Sequence, residues 1–83
     1  MTIEQIYSQL TEIFHDQFDD DSIVLTPEMT AADIDGWDSF NHVNLLIAVE
    51  VKFGIKFRAA EAESLYNVGH LVHIIQTKLE QKR

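Results

Sequence analysis

The residues best placed to do chemistry lie in one run, Asp35-Gly36-Trp37-Asp38-Ser39-Phe40-Asn41-His42-Val43. Asp38 is a good N-cap, because its carboxylate can accept bonds from the first free N–H groups of a helix. Apolar residues recur after Ser39 and mark that helix, so the Ser39 hydroxyl falls on its first turn, exposed, at the positive end of the dipole. A phosphate linked to this hydroxyl would lie in a favourable field. The same run offers a second chemistry, with Ser39 as nucleophile, His42 one turn along as its base, and Asp35 or Asp38 orienting the base. No glycine-rich oxyanion loop or sizeable pocket accompanies that set, so no catalytic residue is assigned.

Metal chemistry finds less support. His70 and His73 stand three apart and could share an ion, but no convincing third ligand lies near them. Asp33, Asp35 and Gly36 imitate the start of a calcium loop. The glycine comes too early, and position twelve would be Asn44 where the loop needs Glu. No metal site is assigned. The chain has no cysteine, which excludes disulfides, cysteine nucleophiles and cysteine-based metal sites.

The elements that position Ser39 follow from periodicity. Thr2-Ile3-Glu4-Gln5 reads as a capping box. Ile3, Ile6, Tyr7, Leu10, Ile13, Phe14 and Phe18 then recur at three and four residue steps, predicting a helix from about Ile3 to Gln17 with that stripe in the core. His15 lies near its end, where a cation suits the dipole, and receives no function. Asp19-Asp20-Asp21-Ser22 ends the helix, because negative charge is unfavourable there. Ile23, Val24 and Leu25 are expected to pin the following loop to the core, with Met29 and Ile34 tucked beneath it. Thr26-Pro27-Glu28 reads as a turn or a short helical start. The connection from about Phe18 to Asp38 is long for so small a protein, and long ordered loops are often functional. Trp37 is read as a loop anchor packed on the core.

The helix from Ser39 to about Lys52 carries two apolar stripes when residues advance by about 100° each. Leu46, Val49 and Phe53 share one face, with Leu45 and His42 at its borders. Phe40, Val43, Ile47 and Val51 share the opposite face and have no obvious partner in a chain this small; either both stripes are buried between neighbours, or Phe40, Val43 and Ile47 form an exposed patch beside Ser39 that marks a protein-binding surface. Gly54 can supply a left-handed cap, after which Ile55 and Phe57 alternate inward. Lys52, Lys56 and Arg58 form a small, solvated basic cluster. A short helix is expected from Arg58 to Ser64, with Ala59, Ala62 and Leu65 facing inward. Asn67 caps the last helix, whose core stripe is Val68, Leu71, Val72, Ile75 and Leu79. Lys78, Lys82 and Arg83 suit its negative end, and the tail beyond Leu79 is expected to fray.

These elements predict an all-α fold: a small antiparallel bundle of three main helices plus one short helix, with a long loop between the first and second. The 83 residues, 1–83, make a single domain. A hydrophobic fraction of 46% is enough for a globule. The formal charge of −8, from 14 acids against 6 bases, argues against a nucleic-acid partner and is explained equally by steering toward basic protein surfaces and by solubility. No apolar run approaches the ~18 residues of a membrane span. The start, Met-Thr-Ile-Glu-Gln, has neither the basic beginning nor the apolar run of a signal peptide. A soluble, cytoplasmic monomer is the expectation.

Gly36-Trp37-Asp38-Ser39-Phe40 followed by a helix resembles the prosthetic-group site of acyl carrier proteins, Gly-x-Asp-Ser-Leu followed by a helix. The resemblance covers nearly the whole chain, including the helix before, the long loop, the Phe53-Gly54-Ile55 exit and the final helix. It implies that Ser39 carries 4'-phosphopantetheine through a phosphodiester, installed from coenzyme A by a phosphopantetheinyl transferase with Mg²⁺. Asp38 is placed to help hold that ion, which prefers carboxylate and phosphate oxygens. Since the chain lacks cysteine, the thiol of any thioester must come with the prosthetic group. The resemblance further implies no enzymatic activity of its own. Its implied task is to present acyl groups to acyl-activating, acyltransferase or synthase enzymes in fatty-acid, polyketide or specialised acyl-transfer biosynthesis. Phe40, Val43, Ile47 and Glu50 are the expected docking residues, since in this family the second helix is the main recognition element, and the short helix flanks an acyl-chain tunnel. Phe40 replaces the usual Leu and Trp37 fills a position that is usually small. Asn41, His42 and Asn44 stand where acids are typical. These departures imply a specialised set of partners. An aminoacyl, D-alanyl or peptidyl carrier, or an unmodified carrier-like interaction module, remains an alternative.

Overall fold

Residues 1–81 are described by the structure, a computed structural model. The chain runs through α1 (Ile3–Phe18), a 3₁₀ turn (Ala31–Asp33), α2 (Ser39–Phe53), α3 (Ala59–Ser64) and α4 (Val68–Gln81). α1 lies against both α2 and α4. The all-α bundle of three main helices and one short one is therefore the fold, and the long connection lies between α1 and α2.

Local chemistry sets the ends of the helices. At α1, the Thr2 hydroxyl accepts from the Gln5 N–H at 3.1 Å and the Gln5 side chain accepts from the Thr2 N–H at 2.9 Å, a complete capping box. α1 ends at Phe18, one residue beyond the expected limit, because Asp19 turns left-handed with φ 51° and its N–H bonds the His15 carbonyl. α2 ends on Gly54 with φ 67°, where glycine carries no Cβ penalty. The Asn67 side-chain oxygen accepts from the His70 N–H at 2.7 Å and opens α4.

The core gathers Ile6, Leu10, Ile13 and Phe14 of α1, Leu45, Leu46, Val49 and Phe53 of α2, and Val68, Leu71, Val72 and Ile75 of α4. Ile23 and Ile34 from the long loop and Ile55 after α2 complete it. Met29, Trp37, Phe57 and Leu79 pack on it in part. Three expected core residues lie outside. Ile3 is exposed because it sits on the first turn of α1, before the helix reaches its neighbours. Val24 is 76% exposed, while its neighbours Ile23, buried, and Leu25, half-buried, take the inward places. Ala59 is exposed at the start of α3, whose contact with the core is made by Ala62 and Leu65.

Two devices hold the long loop down. The His15 Nε2–H donates to the Ile23 carbonyl at 2.8 Å, so a residue with no assigned function ties the loop to α1. At the far side, the Val68 N–H donates to the Met29 carbonyl and the Gly69 N–H to the Pro27 carbonyl, both at 2.9 Å. A Cβ built at Gly69 would lie 3.1 Å from both the Cβ and the carbonyl oxygen of Pro27, so glycine permits this close approach. Lys78 pairs with Glu61 at 2.9 Å and fastens α3 to α4, which adds a partner to its place near the helix end. Order in α4 continues to Gln81, two residues past Leu79 where fraying was expected. Lys82 and Arg83 lie outside the described residues.

Candidate functional site

The serine-bearing turn is built backward from α2. Asp38 has extended backbone, and its Oδ1 accepts from the Asn41 N–H at 2.8 Å. The Asp38 carbonyl accepts the first helical bond, from the His42 N–H, also at 2.8 Å. Gly36 turns with φ 87°, a conformation that a side chain would strain. Its carbonyl accepts from the Asn41 side-chain amide at 2.6 Å. Asn41 therefore holds the turn from both sides, a role that sequence reading missed. The outcome is an exposed Ser39 on the first turn of a 15-residue helix.

Trp37 is the loop anchor expected of it. Its indole meets Phe14 edge-on, with ring centroids 5.3 Å apart and planes at 81°, and lies 6.1 Å from Phe18. It also does something the sequence did not announce. The indole N–H donates to His42 Nδ1 at 3.0 Å, and the two rings lie near parallel at 22°. His42 Nε2 lies 3.2 Å from the carbonyl oxygen of Ala62 in α3. This pattern assigns a neutral ring with its proton on Nε2, since Nδ1 accepts and the carbonyl must receive. With both nitrogens engaged, neither is left to take a proton from Ser39. The arrangement gives no support to a serine–histidine nucleophile.

A cleft of about 440 Å³ opens beside Ser39. Trp37, His42, Ala62, Leu65, Tyr66 and Leu71 form much of its wall. Its lining mixes apolar and polar groups.

The two faces of α2 differ sharply. Leu45, Leu46 and Val49 are buried, whereas Phe40, Val43, Ile47 and Val51 are 75%, 56%, 51% and 78% exposed. The second stripe is thus an open apolar face that starts next to Ser39. Glu50, expected at the docking surface, has another task in the fold: its Oε2 accepts from the Phe57 N–H at 2.8 Å and steers the chain out of α2. His70 and His73 do not form part of any metal-sized cluster; among the described residues no group of three or more His, Asp or Glu side chains could hold an ion. No described helix is long and apolar enough to cross a membrane.

Two carboxylates away from Ser39 are held below their ordinary range. Glu61 is lowered by the Arg58 N–H bond first and then by Lys78. Asp20 is lowered by the hydroxyl and then the N–H of Ser22. Both perturbations stabilise local turns and neither belongs to the serine site.

No family model matches the chain. An acyl carrier protein of Thermotoga maritima is 33% identical over 76 residues, covering 92% of this chain and 94% of that one. An acyl carrier protein of Exiguobacterium is 34% identical over 79 residues, covering 95% of this chain and the whole of the relative. Among solved structures, the holo acyl carrier protein of Geobacter metallireducens superposes with a TM-score of 0.86 at 50% identity, covering 92% of this chain and 87% of that one.

Proposed function

We infer, from the premise that this chain belongs to the acyl carrier protein family, that it carries acyl groups on 4'-phosphopantetheine linked to Ser39. The observation that carries this reading is the exposed Ser39 on the first turn of α2, capped by Asp38 and open to the adjoining cleft. The residues fit the group: a phosphodiester at Ser39 would face the free N–H groups and positive end of a 15-residue helix. When bound, the prosthetic group supplies the thiol that holds cargo as an activated thioester.

The chain's own residues present and steer. During modification by a phosphopantetheinyl transferase, the Ser39 hydroxyl oxygen would bond to the pantetheine-bearing phosphorus of coenzyme A as the pyrophosphate P–O bond breaks, adenosine 3',5'-bisphosphate leaving and the serine proton passing to a base of the transferase, and the Asp38 carboxylate would help hold Mg²⁺. Afterwards the tether raises the effective concentration of cargo for successive enzymes. Phe40, Val43 and Ile47, with Glu50 at their edge, are the proposed docking face for acyl-activating, acyltransferase or synthase enzymes. A small apolar face with long-range charge steering suits partners that must let go. The protein performs no bond chemistry on the cargo and is proposed to work as a cytoplasmic monomer.

The test is intact mass before and after incubation with a broad-specificity transferase, coenzyme A and Mg²⁺, with Ser39→Ala in parallel. One phosphopantetheine adduct, lost in the variant, is the expected result. No adduct on folded protein would turn the reading to an unmodified interaction module.

A further inference from the structure

Phe40, Val43, Asn44, Ile47, Ala48 and Val51 fall on one arc of α2 when residues advance by about 100° each, and none of them is charged. Phe40, Val43, Ile47 and Val51 are exposed there, and Asn44 and Ala48 are half-buried. The arc begins beside Ser39 and runs most of the length of the helix. The formally charged side chains of α2 are Glu50 and Lys52, and both stand at the edges of the arc, near the end away from Ser39. One Glu50 oxygen already accepts from the Phe57 N–H. A protein with a formal charge of −8 thus keeps its acids off the apolar face that adjoins its serine.

We propose that the phosphopantetheinyl transferase acting at Ser39 seats an apolar, uncharged groove on this arc, and not a basic surface. The inference rests on the carrier reading of Ser39 and names the chemistry of its partner. An enzyme that reaches the Ser39 hydroxyl must also cover Phe40, the next residue. Lysine or arginine side chains laid on the arc would be stripped of water with no carboxylate to meet them, which is costly. An apolar groove loses little and gains the burial of four exposed side chains. The net charge then acts only at a distance, on the rate of encounter. A second copy of the chain is a poorer fit. A patch of four side chains offers roughly a few hundred Å², and two such faces fall short of the roughly 1,000 Å² that a stable dimer needs.

The experiment follows modification of the whole chain by the broad-specificity transferase at saturating coenzyme A and Mg²⁺, with kcat and KM for the carrier read from adduct mass. Ile47→Asp and Ile47→Lys place opposite charges in the middle of the arc. Both should raise KM about tenfold with kcat nearly unchanged, since either charge must lose its water in an apolar groove. Phe40→Ser should raise KM by a similar factor. The wild-type KM should change less than about twofold between about 0.15 M and about 0.5 M NaCl, where long-range steering is already screened. A lower KM for Ile47→Asp with a higher one for Ile47→Lys would mean a basic partner surface and overturn the proposal. A KM unchanged in all three variants, or one that rises severalfold with salt in the wild type, would overturn it equally. Asn44→Asp and Asn44→Lys, at a half-buried polar position, repeat the comparison of signs if the Ile47 variants do not fold. A concentration-dependent dimer in sedimentation, lost in Phe40→Ser, would give the arc to a second copy and also overturn the proposal. Failure of the wild type to form any adduct would remove the carrier reading, whereas an adduct formed with the opposite charge pattern removes only the uncharged groove.

Discussion

The Asp38 carboxylate caps α2 and is proposed to help hold Mg²⁺ during modification, and two substitutions separate these roles. Asp38→Ala removes the acceptor for the Asn41 N–H, a loss expected to cost about 1 kcal/mol of stability, seen as a lower melting temperature. Asp38→Asn keeps an N-cap of similar quality, so the melt should stay close to the wild type, while transferase-dependent modification slows for want of a charged ligand for Mg²⁺. A loss of stability in Asp38→Asn equal to that in Asp38→Ala would count against this separation. Gly69 poses a contest of a different kind. Alanine would favour the helix by about 1 kcal/mol, but overpacking typically costs about 1–3 kcal/mol. The neighbour at 3.1 Å is loop backbone as well as the ring of Pro27, and the same residue donates to the Pro27 carbonyl. Gly69→Ala is therefore expected to be net destabilising by about 1 kcal/mol, measurable in urea.

At the scale of the helix, α2 is two surfaces on one rod. Leu46→Ala should cost about 2–5 kcal/mol because it empties core space, whereas Phe40→Ser should stay within about 0.5 kcal/mol because Phe40 already faces water. Chemical denaturation of both variants checks the contrast, and a large loss in Phe40→Ser would place that ring in the fold rather than on a docking face. α3 depends on charge. Its Glu61 carboxyl is depressed by the Arg58 N–H and Lys78, so its contribution to stability is complete above the ordinary glutamate value of 4.5 and is lost as pH falls through the lower folded value. Glu61→Gln should accordingly lose less stability than the wild type on acidification through that window, as read from melts at matched pH. Much of this was legible in the chain. The periodicity of α1, α2 and α4, the capping box at Thr2, the caps at Asp38 and Asn67 and the glycine stop at Gly54 are local signals, and they placed the helices to within a few residues. What sequence reading missed were side-chain bonds across turns and between elements, over five residues at Trp37–His42, eight at His15–Ile23 and twenty at His42–Ala62. Of these only His42 to Ala62 needs the closed bundle, while the other two depend on the path of the loop, and no spacing rule announces any of them. Ile3 and Val24 failed for a related reason, since apolar type reports what a residue prefers and not whether a neighbour reaches it.

The whole molecule carries −8 on a body whose radius of gyration is 11.8 Å. At about 0.01 M salt the screening length is about 30 Å, so every charge feels every other; at about 0.15 M it is about 8 Å, and charges on opposite sides no longer interact. Added salt should therefore raise the melting temperature, because self-repulsion weakens the compact state. A melt that does not move with salt would mean that the repulsion is already relieved locally, by bonds such as those holding Asp20 and Glu61. The strap across Pro27, Met29, Val68 and Gly69 has its own bearing on the intact protein. The first amides of α4 find their acceptors in the long loop, not in solvent. Their hydrogen exchange with deuterated solvent consequently reports how often the loop lifts, next to Ala31 and Asn67, which line the cleft beside the serine. If docking of a partner or loading of cargo loosens the loop, the Val68 and Gly69 amides would register it together, as a paired rise in exchange rate against an unchanged helix middle.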